Sequence, residues 1–561
     1  MKLNKFLLAG AITILSVGFA TGCAKTSTSK SQSSSTTASS KPKIKQAEIV
    51  RIAERDVIPT MDSSHAAGPV SAQNLANTMD GLYRYEGSQL KAAMAEKIVK
   101  PTNKGLTYTF KIRPNAKWSN GDQVSADDFV SAWQRMVDPA TKSQNAYLYE
   151  GIKNATEITA GSKAVDTLGV KSIDSKTLRV TMEKPIPYFD QLLASSAFYP
   201  QNAKLVKKWG SQYGTNSKTL AFNGPYTLDH WNSPDNTWTE VKNKHYWNAK
   251  NVKLNKVQYQ VVKDPTTSLN LYQSNKLDRV MVSGEIAKQM KDHKDFELAK
   301  KNATYYITPN LKKLPLMNNA KIRQAISLSI NRKQLIDKVL GGGSALSNSF
   351  TPRGLAFDPA DSTKDFVSET SKTAGIYGKY DPAQAKKLWQ AGLKETGNTD
   401  KTINLELLAD DLEVFKSQSE FLQSELEKLP GLKITLSNVP TKTRLMRQSS
   451  GDFDLVAAPN AADFADPTSF LDLLTTNSTF NYGKWSNAKY DALIKNSSTT
   501  DVNKPDARWK DLLAAQNLLN EQQPVIALYQ PAGSWLSNRK LKGMNLCPNS
   551  IYDMACVKFE K

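Results

Sequence analysis

The sequence predicts an α/β protein that is divided into two or three lobes. Helical and strand patterns are mixed along the whole chain, which is typical of α/β architecture. The chain has 561 residues, more than one ordinary core contains, since domains usually have about 100–200 residues. Beyond the first 22 residues, no apolar run reaches the roughly 18 residues needed to span a bilayer.

Residues 1–22 are predicted to be an export signal. Lys2 and Lys5 precede an apolar stretch over 6–20, which is short enough to be a cleaved signal and too short for a membrane helix. Cys23 follows the small residues Ala20-Thr21-Gly22, and this site resembles the lipobox of lipoproteins, whose cysteine receives a diacylglycerol. The alternative is an ordinary secretory cleavage with Cys23 incidental, and the segment that follows favours lipidation.

Residues 23–44 are predicted to be a flexible tether, because 12 of the 17 residues from Ala24 to Ser40 are Ser or Thr. Such a segment cannot bury enough apolar surface to offset its ordering entropy. The folded part is expected to begin near 45–49. Without Lys2 and Lys5 the formal charge falls from +21 to +19. This charge indicates a solvated lysine-rich surface, or attraction to anionic wall polymers or lipid headgroups, whereas nucleic acid is not an expected partner of an exported chain.

The first legible strand and helix lie between 106 and 138. Leu106, Tyr108, Phe110 and Ile112 alternate with polar residues, which predicts a half-buried strand. Ser125 is expected to begin a helix, with Asp128 completing a capping box and Asp138-Pro139 ending it.

Further helices and strands are predicted in the second half of the chain. A helix over 321–330 is followed by another that Asn331 caps and that Gly341 ends. Asp381-Pro382 is expected to open a helix that runs towards Gly392. Short strands over 405–407 and 434–436 flank a predicted helix over 415–428.

Two cysteines remain after Cys23, and they lie nine residues apart near the C-terminus. Outside the cytoplasm such a pair can persist as a disulfide. The turn-forming residues Pro548, Asn549 and Ser550 lie between Cys547 and Cys556, so we predict a hairpin closed by a bridge. The alternative is a pair of buried free thiols.

A series of motifs resembles family 5 of the solute-binding proteins, the class for peptides, dipeptides and nickel. The resemblance covers the chain from about 49 to the C-terminus and depends on the order and spacing of the motifs. They are the run from Tyr108 to Asp122 with Ala126-Asp127-Asp128-Phe129, Phe222-Asn223-Gly224-Pro225-Tyr226, His245-Tyr246-Trp247-Asn248, Ile322-Arg323-Gln324-Ala325, Ile330-Asn331-Arg332, Asp452-Phe453-Asp454 and Asp466-Pro467-Thr468-Ser469-Phe470.

This resemblance implies a two-lobed periplasmic-binding-protein-like fold that closes around a ligand at a hinge. The first lobe would contain 45–302 and 531–561, with a subdomain near 85–219, and the second lobe would contain 303–530. It also implies a lipid-anchored monomer on the outer face of the cell membrane. Such a receptor binds short peptides and passes them to the membrane permease of an ABC importer.

The resemblance also implies a ligand residue. In the oligopeptide-binding subfamily, the aspartate that pairs with the peptide amine precedes a Pro-Thr-Ser-Phe-Leu run, and Asp463 has the matching place here. Asp466 is better placed to cap the helix at Pro467, which leaves Asp463 free for a ligand. Asn460 replaces a tryptophan of well-known members, so the pocket beside the amine is expected to be less aromatic. The backbone of Ala461 and Ala462 and the loop at Gly68 are further candidates.

Other functions fit the sequence less well. The four histidines, His65, His230, His245 and His293, are dispersed, and neither a zinc-protease motif nor a nucleophile elbow occurs, so we expect no enzyme and no cofactor. Dispersed histidines also disfavour metal-chelate or haem binding. A peptide pheromone receptor or a surface adhesin on the same fold stays open, because fold does not determine function.

Overall fold

The computed structural model describes residues 48–66, 68–399 and 401–560. The predicted signal 1–22, the lipidation site Cys23 and the tether over 23–44 lie outside these residues. None of the helices in the described ranges is both long and apolar enough to cross a membrane.

Strands and helices are mixed along the chain, as the sequence predicts. The strands are β1 (Ile49–Glu54), β2 (Tyr83–Glu86), β3 (Gln89–Ala92), β4 (Thr107–Lys111), β5 (Val170–Asp174), β6 (Thr177–Thr181), β7 (Tyr226–Asp229), β8 (Thr237–Lys242), β9 (Lys256–Val261), β10 (Arg279–Val282), β11 (Phe296–Lys300), β12 (Ala303–Pro309), β13 (Ala345–Leu346), β14 (Ile403–Asp410), β15 (Leu432–Val439), β16 (Leu455–Ala461), β17 (Ile526–Gln530), β18 (Ala532–Ser537), β19 (Leu541–Lys542) and β20 (Lys558–Phe559). The helices are α1 (Pro69–Thr78), α2 (Ala126–Val137), α3 (Ala155–Thr159), α4 (Phe189–Leu192), α5 (Ala203–Trp209), α6 (Pro265–Gln273), α7 (Gly284–Met290), α8 (Ala320–Ser329), α9 (Arg332–Gln334), α10 (Phe366–Glu369), α11 (Ser371–Gly378), α12 (Pro382–Glu395), α13 (Glu413–Leu426), α14 (Thr441–Ser450), α15 (Thr468–Leu471), α16 (Ala488–Ser498) and α17 (Pro505–Gln522).

Two large sheets organise the described chain. The first has seven strands in the order β11-β18-β10-β1-β9-β8-β7, and the second has six in the order β13-β17-β12-β16-β14-β15. All strands of the first sheet come from 49–300 and 532–537, whereas those of the second come from 303–530. A separate three-stranded sheet, β4-β6-β5, lies beside α2 and belongs to the segment between β3 and β7.

The chain passes between the two large sheets twice, from β11 to β12 and from β17 to β18. These two connections lie side by side: the Lys301 amide donates to the Pro531 carbonyl over 2.9 Å. The Gln530 side-chain amide donates to the Lys301 carbonyl, also over 2.9 Å. The paired connections therefore form a narrow two-chain link between the sheets.

Local signals in the sequence are confirmed around α2 and β4. The alternating residues form β4 over Thr107–Lys111, one residue shorter at each end than the predicted pattern. α2 begins after Ser125, whose backbone amide donates to the Asp128 carboxylate over 2.9 Å as in a capping box. The helix ends at Val137, immediately before Asp138-Pro139.

The predicted helices of the second half also form, with two differences. The helix that Asn331 caps is α-helical only over Arg332–Gln334 and continues as a π-helical segment over Leu335–Leu340, which Gly341 ends at a φ of 60°. α12 does not stop at Gly392 but continues to Glu395. Gly392 lies inside the helix because α12 crosses α8 closely there: a Cβ atom would lie 2.7 Å from Ile322 Cδ1.

The predicted disulfide between Cys547 and Cys556 is wrong for this structure. Both cysteines are free thiols within the described chain. The predicted turn is present, with Leu546 bridged to Tyr552, but a 3-10 turn over Met554–Cys556 follows it. That turn directs the Cys556 thiol to the Asp553 carboxylate, 3.0 Å away, instead of to Cys547.

A buried acid in the first sheet makes the stability of the protein depend on pH. Glu240 on β8 is fully buried, and burial raises its pKa from 4.5 to about 8, although the Asn77 side-chain amide donates to the carboxyl group. The folded state therefore holds this proton more tightly than the unfolded chain. The stabilisation is complete below pH about 4.5 and is lost as the pH rises towards 8, at roughly 1.4 kcal/mol per pH unit.

We expect Glu240→Gln to remove this slope, because glutamine keeps an acceptor oxygen for Asn77 and cannot ionise. Relative to the wild type, the variant should gain about 3 kcal/mol in free energy of unfolding between pH 5 and pH 7. Urea unfolding of both proteins at several pH values measures the difference. A difference between the two proteins that stays constant with pH would contradict the assignment.

Candidate ligand-binding site

The site predicted around Asp463 lies at the carboxyl edge of the six-stranded sheet. β14 runs parallel to β15 and to β16, so their last residues, Asp410, Val439 and Ala461, lie at the same edge. Asp463 comes two residues after the end of β16. Ligands of open α/β sheets bind outside the carboxyl ends of the strands, so this edge is the expected place for a ligand.

Asp466 fixes the loop that carries Asp463. One oxygen of Asp466 accepts bonds from the Thr468 amide at 3.0 Å and the Thr468 hydroxyl at 2.7 Å, at the start of α15, whose N-cap residue is Pro467 instead of the predicted Asp466. Both oxygens also accept from Arg508 on α17, over 2.8 and 2.9 Å. Burial alone would raise the pKa of Asp466, but Arg508 and Thr468 outweigh it and lower that pKa below its usual value. The loop is thus held by a buried, bidentate ion pair.

Asp463 itself has few protein partners. Its backbone amide donates to the Ser469 hydroxyl over 2.8 Å, which leaves the carboxylate free to face outwards. Surrounding protein raises the pKa of this carboxyl, and the nearby Tyr147 hydroxyl partly opposes the rise. Protein surrounds Asp463 on several sides, but the residue remains accessible to solvent because it faces a large cavity.

This cavity, which we call the Asp463 cavity, has a volume of about 530 Å³. One wall comes from the segment around the three-stranded sheet, with Tyr147, Leu148, Glu150, Lys184, Tyr188 and Leu192. The opposite wall comes from the region after β16 and includes Asp463, Phe464, Ser469, Asp472, Phe480 and Ile494.

Aromatic pairs join the two walls. The rings of Tyr188 and Phe464 stack with their centroids 3.9 Å apart and their planes within 3° of parallel. Tyr147 and Phe480 meet at 6.0 Å with their planes inclined by 60°. Each pair connects the part of the chain that forms the first sheet to the part that forms the second.

The other predicted site residues do not line the Asp463 cavity. The Ala462 amide donates to the Asn302 carbonyl over 2.7 Å, and Asn460 is paired with Thr304 between β16 and β12. Gly68 is the N-cap residue of α1, preceded by a loop whose Ala66 carbonyl accepts from the Asn145 side chain over 2.9 Å. Gly68 is therefore close in the chain to a contact with the segment of Tyr147, but not at the cavity wall.

Ala461 lies on an open part of a strand edge. Bonded pairs alternate along β12 and β16, and Asn302–Ala462 is a bonded pair, so the amide and carbonyl of Ala461 point away from β12. On that side, β14 pairs with β16 only at Leu455 and Val456. The edge beside Ala461 can therefore pair with an added extended chain.

Sequence reasoning missed most of the cavity wall. Asp472 directly follows the run at Pro467–Leu471 that identified Asp463, so the same motif could have indicated it. Tyr147 and Phe480 are among the exposed large hydrophobic side chains of the described chain, at 45% and 44%. No local sequence pattern distinguishes them, because exposure of an aromatic ring at a cavity is set by distant parts of the chain.

Comparison with known proteins supports the resemblance. The model of the bacterial extracellular solute-binding proteins, family 5 (middle), matches residues 89–482. A dipeptide-binding protein of Lactococcus lactis subsp. cremoris is 33% identical over 514 residues, covering 89% of this chain and 92% of that protein. A Listeria monocytogenes OppA bound to peptide has a TM-score of 0.77 and 35% identity, over 92% of this chain and 100% of that one. The pheromone receptor PrgZ, whose structure shows its mode of peptide binding, has a TM-score of 0.77 and 37% identity, also over 92% of this chain and 100% of that one.

Two large sheets joined by a double link, with a cavity between chain segments from each, define a two-lobed solute-binding fold of the α/β class. The chain belongs to family 5 of the bacterial extracellular solute-binding proteins.

Proposed function

We propose that this protein is an extracellular receptor that encloses short peptides between two lobes and delivers them to the permease of an ABC importer. The observation that carries the proposal is the cavity position of Asp463, a carboxylate with no protein cation bonded to it among the described residues. The names of the relatives support the same class, since they are a dipeptide-binding protein, an OppA bound to peptide and a peptide-binding pheromone receptor.

In this proposal the constant parts of a peptide are recognised and its side chains are tolerated. The α-amine pairs with Asp463, and Tyr147 lines the same cavity beside that carboxylate. The peptide backbone adds to the open edge at Ala461, and waters in the cavity adapt to different side chains. Asn460, Ala462 and Gly68 then act by shaping the surrounding backbone.

We further propose the lobe boundaries and the attachment. Sheet membership supports a first lobe of 45–302 and 531–561, with the subdomain near 85–219, and a second lobe of 303–530. The double link at Lys301 and Pro531 is the proposed hinge. Lipid on Cys23 would hold a monomer at the outer face of the membrane, where it can meet the permease.

Native mass spectrometry of protein purified from peptide-rich medium tests the receptor function directly. We expect bound masses that correspond to short peptides and that disappear on denaturation. Binding of tetra-alanine but not of its N-acetylated form, measured by calorimetry, would support recognition of the amine. Failure of the folded protein to bind any free peptide would overturn the proposal.

The aromatic pair Tyr188–Phe464 provides a test of closure. If peptide binding selects a closed form, a contact between the lobes contributes to the apparent affinity. A stacked pair is worth about 0.5–1.5 kcal/mol beyond its buried area, so Phe464→Ala should weaken binding about two- to tenfold. The peptide concentration that gives half of the compaction in small-angle scattering measures this shift.

Phe357→Ala, at an exposed ring outside the cavity, is the matched control and should leave the midpoint unchanged. Closure would be contradicted by a scattering radius that does not change when wild-type protein is saturated with peptide.

A pheromone or signal receptor is the second candidate, favoured by the 37% identity to PrgZ. It would use the same cavity, so the co-purifying peptides distinguish the two functions: one defined sequence indicates a signal receptor, and a mixture indicates nutrient uptake.

The surface-adhesin alternative is supported only by the basic net charge of the sequence. Among the described residues, no group of three or more His, Cys, Asp or Glu could hold a metal ion, which gives no support to the metal-chelate alternative.

A further inference from the structure

The Asp463 cavity contains a second carboxylate, Asp472, that the proposed function does not use. It directly follows α15, and its Oδ1 atom is buried without a hydrogen-bond partner. The buried cation Arg508 acts electrostatically on Asp472, but both its terminal nitrogens bond to Asp466, and its Nε also lacks a partner. Asp472 and Arg508 are therefore not bonded to each other. A buried carboxylate oxygen without a partner is costly, so its presence at a cavity wall calls for an explanation.

The charges around the cavity do not balance. Among the described residues that line it, the carboxylates are Glu150, Asp463 and Asp472, and the one basic residue is Lys184. Lys184 Nζ donates to Glu150 over 3.0 Å, so these two charges compensate each other. Two carboxylates remain, and the α-amine of a bound peptide would neutralise only one of them.

The cavity walls suit a long cationic side chain. Leu148, Leu192, Leu473 and Ile494 line the cavity together with the rings of Tyr188 and Phe464. Lysine and arginine combine an apolar stem with a charged head, and the stem packs on such walls while the head reaches a carboxylate. A neutral side chain would leave Asp472 uncompensated, and an acidic one would add a further negative charge.

We propose that Asp472 is a specificity-determining residue that pairs with the cationic side chain of the first residue of the peptide, so that the receptor prefers peptides beginning with Lys or Arg. The inference rests on the proposed function, because it takes Asp463 as the site of the α-amine. Burial raises the pKa of Asp472 to about 7, with a contribution from Asp466, while Arg508 and Lys184 lower it and Glu150 raises it. A bound cation would stabilise the charged form.

Calorimetry with two matched peptides tests the inference: Lys-Ala-Ala-Ala, and the same peptide with norleucine first, which keeps the stem and lacks the ammonium. We expect the wild type to bind the lysine peptide about tenfold or more tightly, the difference typical of one bond to a charged group. Asp472→Asn should bring the ratio close to one by weakening the lysine peptide alone. Asp463→Asn should weaken both peptides and keep the ratio.

Glu420→Gln, which removes an exposed carboxylate from α13, is the matched control and should keep the wild-type ratio. Equal affinity of the wild type for the two peptides would overturn this inference and leave the proposed function intact. Binding of neither peptide by the folded wild type would overturn the proposed function, and this inference with it. The wild-type ratio requires no variant to fold, so the test does not depend on the stability of Asp472→Asn.

Discussion

Asp463→Asn is expected to lower the affinity for peptides with a free amine about a hundredfold. Breaking a buried charge pair by removing one partner costs about 3–5 kcal/mol, and the exposure of Asp463 to the cavity places this pair near the lower limit. The variant leaves the volume of the side chain unchanged and removes its charge. Calorimetric titration with tetra-alanine measures the loss.

The N-acetylated peptide distinguishes the loss of charge pairing from general damage to the site. It has no amine, so the wild type and the variant should bind it equally weakly. The fold should not change, because Asp463 contributes to the loop through its backbone amide, which still donates to Ser469. An equal loss for free and acetylated peptides would show that Asp463 does not recognise the amine.

Arg508→Met is expected to destabilise the protein by about 3–5 kcal/mol at neutral pH. The substitution leaves the buried carboxylate of Asp466 with only the bonds from Thr468. This is a large share of a typical folding free energy of about 5–15 kcal/mol. Chemical unfolding followed by tryptophan fluorescence measures the loss, and peptide affinity should fall as well, since the loop of Asp463 loses its anchor.

The pH dependence of Arg508→Met follows from the lowered pKa of Asp466 in the wild type. That ion pair contributes stability above the unfolded pKa of about 3.9, and the contribution is lost as the pH falls through the lower folded pKa. The deficit of the variant should therefore be largest at neutral pH and shrink in acid, where its Asp466 becomes protonated.

Arg447→Met is the matched control for the buried pair. Arg447 also bonds to two carboxylates, Glu406 at 2.7 Å and Asp452 at 2.9 Å, but this group is more exposed than the Asp466–Arg508 pair. Exposed ion pairs contribute roughly 0–1 kcal/mol, so the control should change stability little. Similar losses in the two variants would contradict the role assigned to the Asp466–Arg508 pair.

Local features of the fold could be predicted because their causes lie within a few residues. The capping box at Ser125 and Asp128, the alternation over Thr107–Lys111 and the glycine that ends the helical segment at Leu340 each depend on neighbouring side chains. The order and spacing of the motifs also identified the family and drew attention to Asp463. These signals do not depend on where distant segments pack.

Two differences from the sequence predictions have identifiable physical causes. The sequence predicted a helix that runs towards Gly392, and this glycine is an interior residue of α12 because the helix crosses closely over Ile322 on α8 there. The spacing of Cys547 and Cys556 is compatible with a bridge, but the packing of the 3-10 turn directs Cys556 to Asp553. The spacing of two residues along the chain shows whether their side chains can reach each other, but not in which direction each side chain points.

The sequence by itself determined the α/β class, the family and the candidate carboxylate Asp463. Only the tertiary structure decided that Asp463 faces a cavity, that Tyr147 and Tyr188 close it from the other side, and that Asp472 has no cation bonded to it. The reason is physical: a motif reports the local backbone, whereas burial, charge balance and cavity shape depend on segments that are more than 270 residues apart in the chain.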